Sequence, residues 1–224
     1  MGIDEPLSRA VEVHGAKYAE SIGIEMLPFE LVPPVPLNVN PQLLRVREHG
    51  ADYVYITSLW TVALAIMRDA ERLGLTDEIR FCGWENSQAR SLIETLGPAA
   101  EGYISARVFP WYKEVPFLTD MYMRYRGYID TEGDGAAILA FMPVMIEAIR
   151  IAIEEVGYEN LDGRTIKEAM YSIRDFDPHG LGRTVTYTPE DHRGSATVRI
   201  YQVEGGEVVP ITDWRDAPML VPEG

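Results

Sequence analysis

Residues 51–87 read ADYVYITSLWTVALAIMRDAERLGLTDEIRFCGWENS. The first eight residues are rich in aromatic and β-branched types, and their apolar middle predicts a strand that is covered on both faces. Apolar residues then recur at helical spacing until Gly74, which predicts an amphipathic helix. The run IRFCG at 79–83 predicts the next strand. Strand, helix and strand in this order make the βαβ unit of a parallel sheet, which indicates an α/β fold.

The predicted helix has two distinct faces. Its apolar residues step by four and three positions, as one face of a helix requires, and its charged residues fill the opposite face. The apolar face carries Leu59, Ala63, Ile66, Ala70 and Leu73, and the charged face carries Arg68, Asp69, Glu71 and Arg72.

Further elements are predicted on both sides of this unit. Before it, LSRAVEVHGAKYAESIG at 7–23 predicts a helix, IEMLPFELV at 24–32 a strand, and QLLRVREHG at 42–50 a short helix. The proline-rich run VPPVPLNVNP between the last two predicts a loop. After the unit, SQARSLIETLG predicts a helix and EGYISARVF another strand of the sheet.

The character of the chain changes near Val108, where a second layer of structure is predicted to begin. AAILAFMPVMIEAIRIAIEEVG has the longest apolar helical pattern, TEGDG before it predicts a turn, and Asp162 is placed to cap a helix that follows. The last part alternates apolar and polar residues and turns at Gly205 and Gly206. This pattern predicts an antiparallel hairpin added to an otherwise parallel sheet flanked by helices.

Composition and charge favour a globular protein and disfavour some partners. The 224 residues are 46% hydrophobic, enough for a proper core, and the formal net charge of −15 disfavours nucleic acid and anionic lipid as partners. No apolar run approaches the length of a membrane span, and the start MGIDEPLSRA lacks the pattern of a signal peptide. Cys82 alone cannot form an internal disulfide, and a thiol inside a predicted strand is most simply a small buried hydrophobe.

The common catalytic and metal-binding motifs are absent. There is no P-loop, GxGxxG, HExxH, GxSxG or CxxC pattern, so no cofactor is predicted. Asp191 and His192 are adjacent in PEDHRG and could ligate a metal ion. Neighbouring residues on a strand point to opposite faces, however, and this run favours a solvated turn over a metal site.

Polar and aromatic residues follow each of the two predicted parallel strands. They are residues 57–60 after the first strand and residues 84–86 after the second. Ligands of open α/β sheets bind outside the carboxyl ends of the strands, and Gly83 allows the backbone to leave the sheet so that Trp84 or Glu85 reaches that crevice. Alternatively, the tryptophans pack between helices and Glu85 is a favourable acid in the first turn of a helix. The residues alone leave both interpretations open.

The order of elements resembles the type I periplasmic binding proteins, specifically the substrate-binding proteins of branched-chain amino acid ABC transporters. The similar segments are YAESIGIEML, GADYVYI with AIMRDAERLGL, FCGWE, EGYISARVFP and FDPHGLGRTVTYTPEDHRGSATVRIYQVEGGEVVPITDW. The resemblance implies two α/β lobes that close on a small ligand, and it covers only the C-terminal two thirds of the family's pattern. It assigns 1–107 and 188–224 to the second lobe, without that lobe's first strand, and 108–187 to the remaining part of the first lobe.

The resemblance also implies a ligand site. Glu85 falls where amino-acid-binding members place an acid that pairs with the ligand ammonium, and a carboxylate forms strong charge-assisted hydrogen bonds with such a cation. Leu59 and Trp60 fall near an aromatic position that packs on the ligand, Ser58 precedes them, and Trp84 precedes the acid. Leu7 and Ser8 stand where many members have an aromatic residue and a glycine, so a larger apolar or aromatic acid is as credible a ligand as leucine.

The implied function is that of a solute-binding protein without catalytic activity. It would bind an amino acid or related small carboxylate and deliver it to an ABC permease, in the periplasm or at the cell surface, and its exposed inter-lobe surface could form a homodimer. Two alternatives remain at this stage. One is a ligand-sensing regulatory domain of the same fold, and the other is an α/β enzyme with Glu85 as general base near Asp191 and His192.

Overall fold

The computed structural model describes residues 1–125 and 135–218, which divide into two units. Of the described residues, unit 1 comprises 1–107, 200–213 and Pro218, and unit 2 comprises 108–125, 135–199 and 214–217. The lobe boundaries proposed from the sequence, at 107–108 and 187–188, stay a prediction. The assignment of the two units to the family's two lobes stays a prediction.

Unit 1 is built on a parallel sheet, as predicted. Strands β1 (Tyr53–Ile56), β2 (Arg80–Trp84) and β3 (Ile104–Arg107) pair in that order, and all three run in the same direction. Helix α4 (Trp60–Arg72) connects β1 to β2, and α5 (Arg90–Leu96) lies between β2 and β3. The βαβ prediction from residues 51–87 is therefore confirmed.

Helix α4 and strand β1 each differ from the prediction in one respect. Asp69, which was assigned to the charged face of the helix, is buried, because its carboxylate accepts hydrogen bonds from the Val39 amide and the Arg68 guanidinium. Strand β1 is covered on one face only: Val54 and Ile56 are buried, while Tyr53 and Tyr55 are exposed. The prediction of two covered faces was wrong because tyrosines alternate with the aliphatic residues, which is the pattern of a half-buried strand.

The N-terminal part of unit 1 is mostly helical. Helices α1 (Pro6–Ala10) and α2 (Ala16–Ser21) are joined by a π-helical turn, and α3 is Asn40–Glu48. The predicted strand IEMLPFELV is wrong, since only its residue Leu31 forms a bridge, with Gly2. Pro28 within this run has no N–H group for a ladder, which explains why pairing does not extend.

Residues Met1 and Gly2 extend the sheet beyond β1. The Met1 ammonium donates to Tyr55 O, and Thr57 N donates to Met1 O, as in a parallel ladder. On the other side, Gly2 N donates to Glu30 O and Val32 N donates to Gly2 O. The first residues thus lie between β1 and the segment at 30–32.

Unit 2 contains helices α6 (Pro116–Tyr125), α7 (Gly135–Val156) and α8 (Gly163–Met170). Asp162 caps α8 as predicted, because its carboxylate accepts from the amides of Arg164 and Thr165. The predicted TEGDG turn lies outside the described residues except for its last glycine. Residues buried between α7, α8 and the chain that follows form the core of this unit: Val144, Ala148, Ile173 and Tyr187.

The predicted hairpin is confirmed. Strands β4 (Thr197–Glu204) and β5 (Glu207–Pro210) are antiparallel and turn at Gly205 and Gly206. Strand β4 neighbours β3 in the sheet, and its first residues pair with the short strand β6 (Arg215–Asp216). In the part of the chain that the structure describes, no helix combines the length and apolar character needed to cross a membrane.

Candidate functional site

The carboxyl ends of β1 and β2 lie side by side in unit 1. Ile56 is opposite Gly83 in the register of the parallel pair, so both strands release the following residues at the same edge of the sheet. The two segments are also joined directly, because the Trp84 indole Nε1 donates to Ser58 O at 3.1 Å. The common edge predicted from the sequence is therefore present.

After β1, the chain passes through two buried hydroxyl residues into helix α4. Ser58 Oγ accepts a hydrogen bond from Ile3 N at 3.1 Å, and Thr57 Oγ1 lies 2.7 Å from Ser8 Oγ. These contacts join Ile3 and helix α1 to the end of β1. Ser58 is therefore buried between the N-terminal residues and α4, and its main-chain carbonyl accepts from the Trp84 indole.

Leu59 and Trp60 lie at the start of α4. Leu59 precedes the first helical residue and is 55% exposed, and Trp60 is partly exposed. An apolar residue is unusual in the position before a helix, where a polar side chain would satisfy the first amides. Helix α4 therefore begins with two apolar side chains at the surface and with no side-chain hydrogen bond to its first amides.

After β2, Glu85 begins a short 3₁₀ turn that ends at Ser87. The turn is fixed from below: Ser87 Oγ donates to Trp84 O at 2.6 Å, and the Tyr103 hydroxyl donates to Ser87 Oγ at 2.8 Å. Burial raises the pKa of Tyr103 far above its usual value, so this hydroxyl remains protonated and keeps donating. Glu85 itself is partly exposed, on a turn whose supporting side chains are buried.

Gly83 is required by this packing. A Cβ atom at residue 83 would lie 2.7 Å from the Tyr103 hydroxyl and 2.9 Å from Ile56 O, and it would also overlap Ser87 Oγ. Any side chain at this position would displace the hydroxyl groups that hold the turn. The run FCGWENS thus places a glycine where β2 is closest to its neighbours, so that Glu85 can follow on a rigid support.

Residues of β3 complete the support, and the sequence did not identify them. Ser105 Oγ donates to Gln88 Oε1 at 2.6 Å, and Arg107 Nη1 donates to Glu85 O at 3.2 Å and more weakly to Gln88 O at 3.5 Å. Both β3 residues and Gln88 are buried. A buried, hydrogen-bonded set of polar side chains therefore lies directly beneath the turn that carries Glu85.

Two of the residues named for the enzymatic alternative, Asp191 and His192, make contacts with their neighbours in unit 2. Asp191 binds Arg193, and those hydrogen bonds lower the pKa of Asp191 to about 2. His192 Nε2 lies 2.9 Å from the Tyr171 hydroxyl, and the two rings stack at 5.5 Å between centroids. Over residues 1–125 and 135–218 no three His, Cys, Asp or Glu side chains are grouped as ligands of a metal ion.

A cavity of about 380 Å³ lies in unit 2, away from the residues predicted for the site. Its wall includes Trp214, and the guanidinium carbons of Arg183 and Arg199 are each 5.9 Å from the centroid of that ring. Arg199 is also paired with Glu114 at 2.6 Å. None of Ser58, Leu59, Trp60, Trp84 or Glu85 borders this cavity.

Comparison with known families decides the class of protein. A model described as periplasmic binding protein matches residues 1–207. The chain belongs to the periplasmic binding protein family. The resemblance noted in the sequence is thereby confirmed, and the relatives in this family bind solutes.

Solved structures share the fold of this periplasmic binding protein. A branched-chain amino acid ABC transporter protein from Thermus thermophilus with bound valine is 25% identical, with a TM-score of 0.82. A fatty acid ABC transporter substrate-binding protein from Thermomonospora curvata is 18% identical, with a TM-score of 0.79. A leucine binding protein from Thermotoga maritima is 20% identical, with a TM-score of 0.71. Each alignment covers 96% of this chain but only 59%, 57% and 59% of those chains, respectively. None of the curated proteins matches this chain.

Proposed function

We propose that this periplasmic binding protein serves an ABC-type transporter by binding an amino acid or a related small carboxylate. The observation that supports this most directly is the placement of Glu85, a carboxylate on a firmly supported turn beside the start of α4. The ligand's ammonium group would bind Glu85, and its apolar part would contact Leu59, Trp60 and Trp84. Ser58, which is buried and accepts from Ile3 N, would lie beneath these residues and hold the Trp84 indole through its main-chain carbonyl.

The valine and leucine in the descriptions of two similar structures agree with this ligand class. The fatty acid transporter protein is the informative contrast, because a fatty acid has a carboxylate and an apolar chain but no ammonium group. An acid at residue 85 favours the ammonium-bearing ligand, since a charge-assisted hydrogen bond requires a donor of opposite charge. We therefore rank amino acids above fatty acids.

The test is a calorimetric titration of the full-length protein with L-valine, L-leucine, L-phenylalanine and a medium-chain fatty acid. We expect an amino acid to bind, and Glu85→Gln to weaken that binding by about tenfold or more, which corresponds to about 1.4 kcal/mol or more for a hydrogen bond to a charged group. Unchanged affinity in Glu85→Gln would remove this residue from the site, and binding of the fatty acid alone would assign a different ligand class.

Glu78→Gln is the matched control for this titration. Glu78 is exposed and precedes β2, whereas Glu85 follows that strand, so the control removes the same charge from the opposite end of the same strand. Its ligand affinity should equal that of the wild type. A loss of affinity in both variants would indicate a general effect of net charge and not a contact at residue 85.

Delivery to an ABC permease and a location in the periplasm or at the cell surface follow from the proposed role. Co-purification of the full-length protein with its permease tests delivery, and cell fractionation tests the location.

A homodimer also stays a prediction, and the molar mass from light scattering will decide it. Binding without any permease association would favour the regulatory alternative.

A further inference from the structure

Arg107 is an unusual residue for the interior of unit 1. It is the last residue of β3, it is 1% exposed, and it is the largest fully buried side chain among the described residues. Arginine is almost never fully buried unless its charge is balanced by partners. Because Arg107 is buried directly below the proposed ligand site, we expect it to have a specific role there.

The contacts of Arg107 point to the turn that carries Glu85. One nitrogen, Nη1, donates to the carbonyl of Glu85 at the start of the turn and to that of Gln88 just after it. Glu85 O also accepts from Gln88 N at 3.2 Å, so the guanidinium binds the same carbonyl that closes the turn. Contacts at both ends restrict how the backbone of residues 85–88 can rotate, and this rotation sets the direction of the Glu85 side chain.

A purely electrostatic role predicts a different behaviour. A positive charge near a carboxylate that binds an ammonium group repels the ligand, so Arg107 as a charge alone would weaken binding. Removal of that charge would then tighten the complex. If Arg107 instead holds the turn, its removal should weaken the complex although a repulsive charge is lost. The two roles thus give opposite signs for the same substitution.

We propose that Arg107 is a positioning residue that holds the Glu85 turn in its ligand-binding conformation. This inference depends on the proposed function for its effect on affinity, but its structural part concerns the turn alone. It is tested with Arg107→Met, which keeps most of the length of the side chain without its donors, and with Arg107→Lys, which keeps the charge and one donor group.

Two measurements separate the structural part from the functional part. Hydrogen exchange of the Gln88 amide reports whether the turn is closed without any ligand, because that amide donates to Glu85 O. We expect exchange to be about tenfold faster in Arg107→Met, as for the loss of roughly one charged hydrogen bond, with an intermediate rate in Arg107→Lys. Calorimetry with L-valine and L-leucine should show weaker binding in the same order.

Ser105→Ala is the matched control. Ser105 lies on the same face of the same strand, is also buried, and donates to the Gln88 side chain instead of the turn carbonyls. This variant should lower the melting temperature but change Gln88 exchange and ligand affinity less than Arg107→Met does. Equal changes in both variants would indicate general destabilisation and overturn the proposal.

The remaining outcomes are also decisive. Unchanged Gln88 exchange in Arg107→Met, or tighter amino acid binding, would overturn the positioning role. If Arg107→Met does not fold, Arg107→Lys carries the test, and wild-type exchange and affinity in that variant would overturn the positioning role of the guanidinium. If the wild type binds neither amino acid, the proposed ligand class fails, and Gln88 exchange alone still decides whether Arg107 holds the turn.

Discussion

At the scale of single residues, Gly83 determines whether the site can form. Its backbone lies so close to Ser87 and to the Tyr103 hydroxyl that a methyl group has no space. We expect Gly83→Ala to destabilise the protein by about 1–3 kcal/mol, the usual cost of overpacking a core, and to disturb the turn that carries Glu85. Urea denaturation monitored by tryptophan fluorescence will measure this, because Trp84 is the next residue.

The control for Gly83→Ala is Gly163→Ala at the start of α8. A Cβ atom there would have no neighbour within 4 Å, and the residue does not have a positive φ angle. This variant should be neutral or slightly more stable, because alanine restricts the unfolded chain more than glycine does. Equal stability of the two variants would contradict the close packing described around residue 83.

The residues of the site differ in how far the sequence could predict them. Glu85 and Gly83 could be named because they directly follow a recognisable strand, where ligands of α/β sheets bind. Arg107 could not, because Tyr103, Ser105 and Arg107 alternate with apolar residues and read as the solvent face of a strand. In the structure that polar face is the buried one, and its side chains support the Glu85 turn. Only the three-dimensional contacts distinguish these two cases.

At the scale of elements, Asp69 connects helix α4 to the start of α3. Its carboxylate accepts from Val39 N at 2.9 Å, and Val39 is the fully buried residue that precedes α3. Burial raises the pKa of Asp69, but the hydrogen bonds from Arg68 and Val39 outweigh it, so the pKa lies below its usual value. A group with a lowered folded-state pKa stabilises the protein above its unfolded pKa, and this contribution is lost as the pH falls through the folded value.

We therefore expect Asp69→Asn to cost about 1–3 kcal/mol at neutral pH, as for a buried hydrogen bond to a charged group. The difference from the wild type should shrink below about pH 4, near the ordinary aspartate pKa. Chemical denaturation at several pH values measures both effects. Glu71→Gln on the same helix removes an exposed carboxylate and should stay within about 0.5 kcal/mol of the wild type. A constant difference across the acid range would show that the charge of Asp69 is not the stabilising feature.

Helices and strands were predicted correctly from the sequence where a hydrophobic repeat extends over many residues. The prediction failed where a single residue, such as a proline or a buried acid, departs from the pattern. The four-and-three spacing of apolar residues in α4 fits only a helix, and the two glycines after β4 form the turn of a hairpin. Residues 24–32 have strand-like composition, but Pro28 interrupts the ladder and pairing is limited to Leu31. Asp69 illustrates the same limit on a helix, since its charge suggests a solvent-exposed position while its partner, the Val39 amide, is 30 residues away.

At the scale of the whole molecule, the two units have separate cores within one chain. Ile173 packs in unit 2 with Val144, Ala148 and Tyr187, and Ile66 is fully buried in helix α4 of unit 1. The chain passes between the units after Arg107, Arg199, Asp213 and Ala217. Because each core is built within its own unit, we expect the two units to differ in local stability and to open separately.

Matched substitutions test this expectation. Ile173→Ala and Ile66→Ala each remove the same atoms from a buried site, and each should cost about 2–5 kcal/mol. By hydrogen exchange with mass spectrometry, Ile173→Ala should reduce protection in α7 and α8 while leaving β1–β3 unchanged, and Ile66→Ala should do the reverse. If either variant lowers protection equally in both units, the chain unfolds as one cooperative body. In that case the strand that passes from Arg199 to Ile200 transmits the loss of either core to the other.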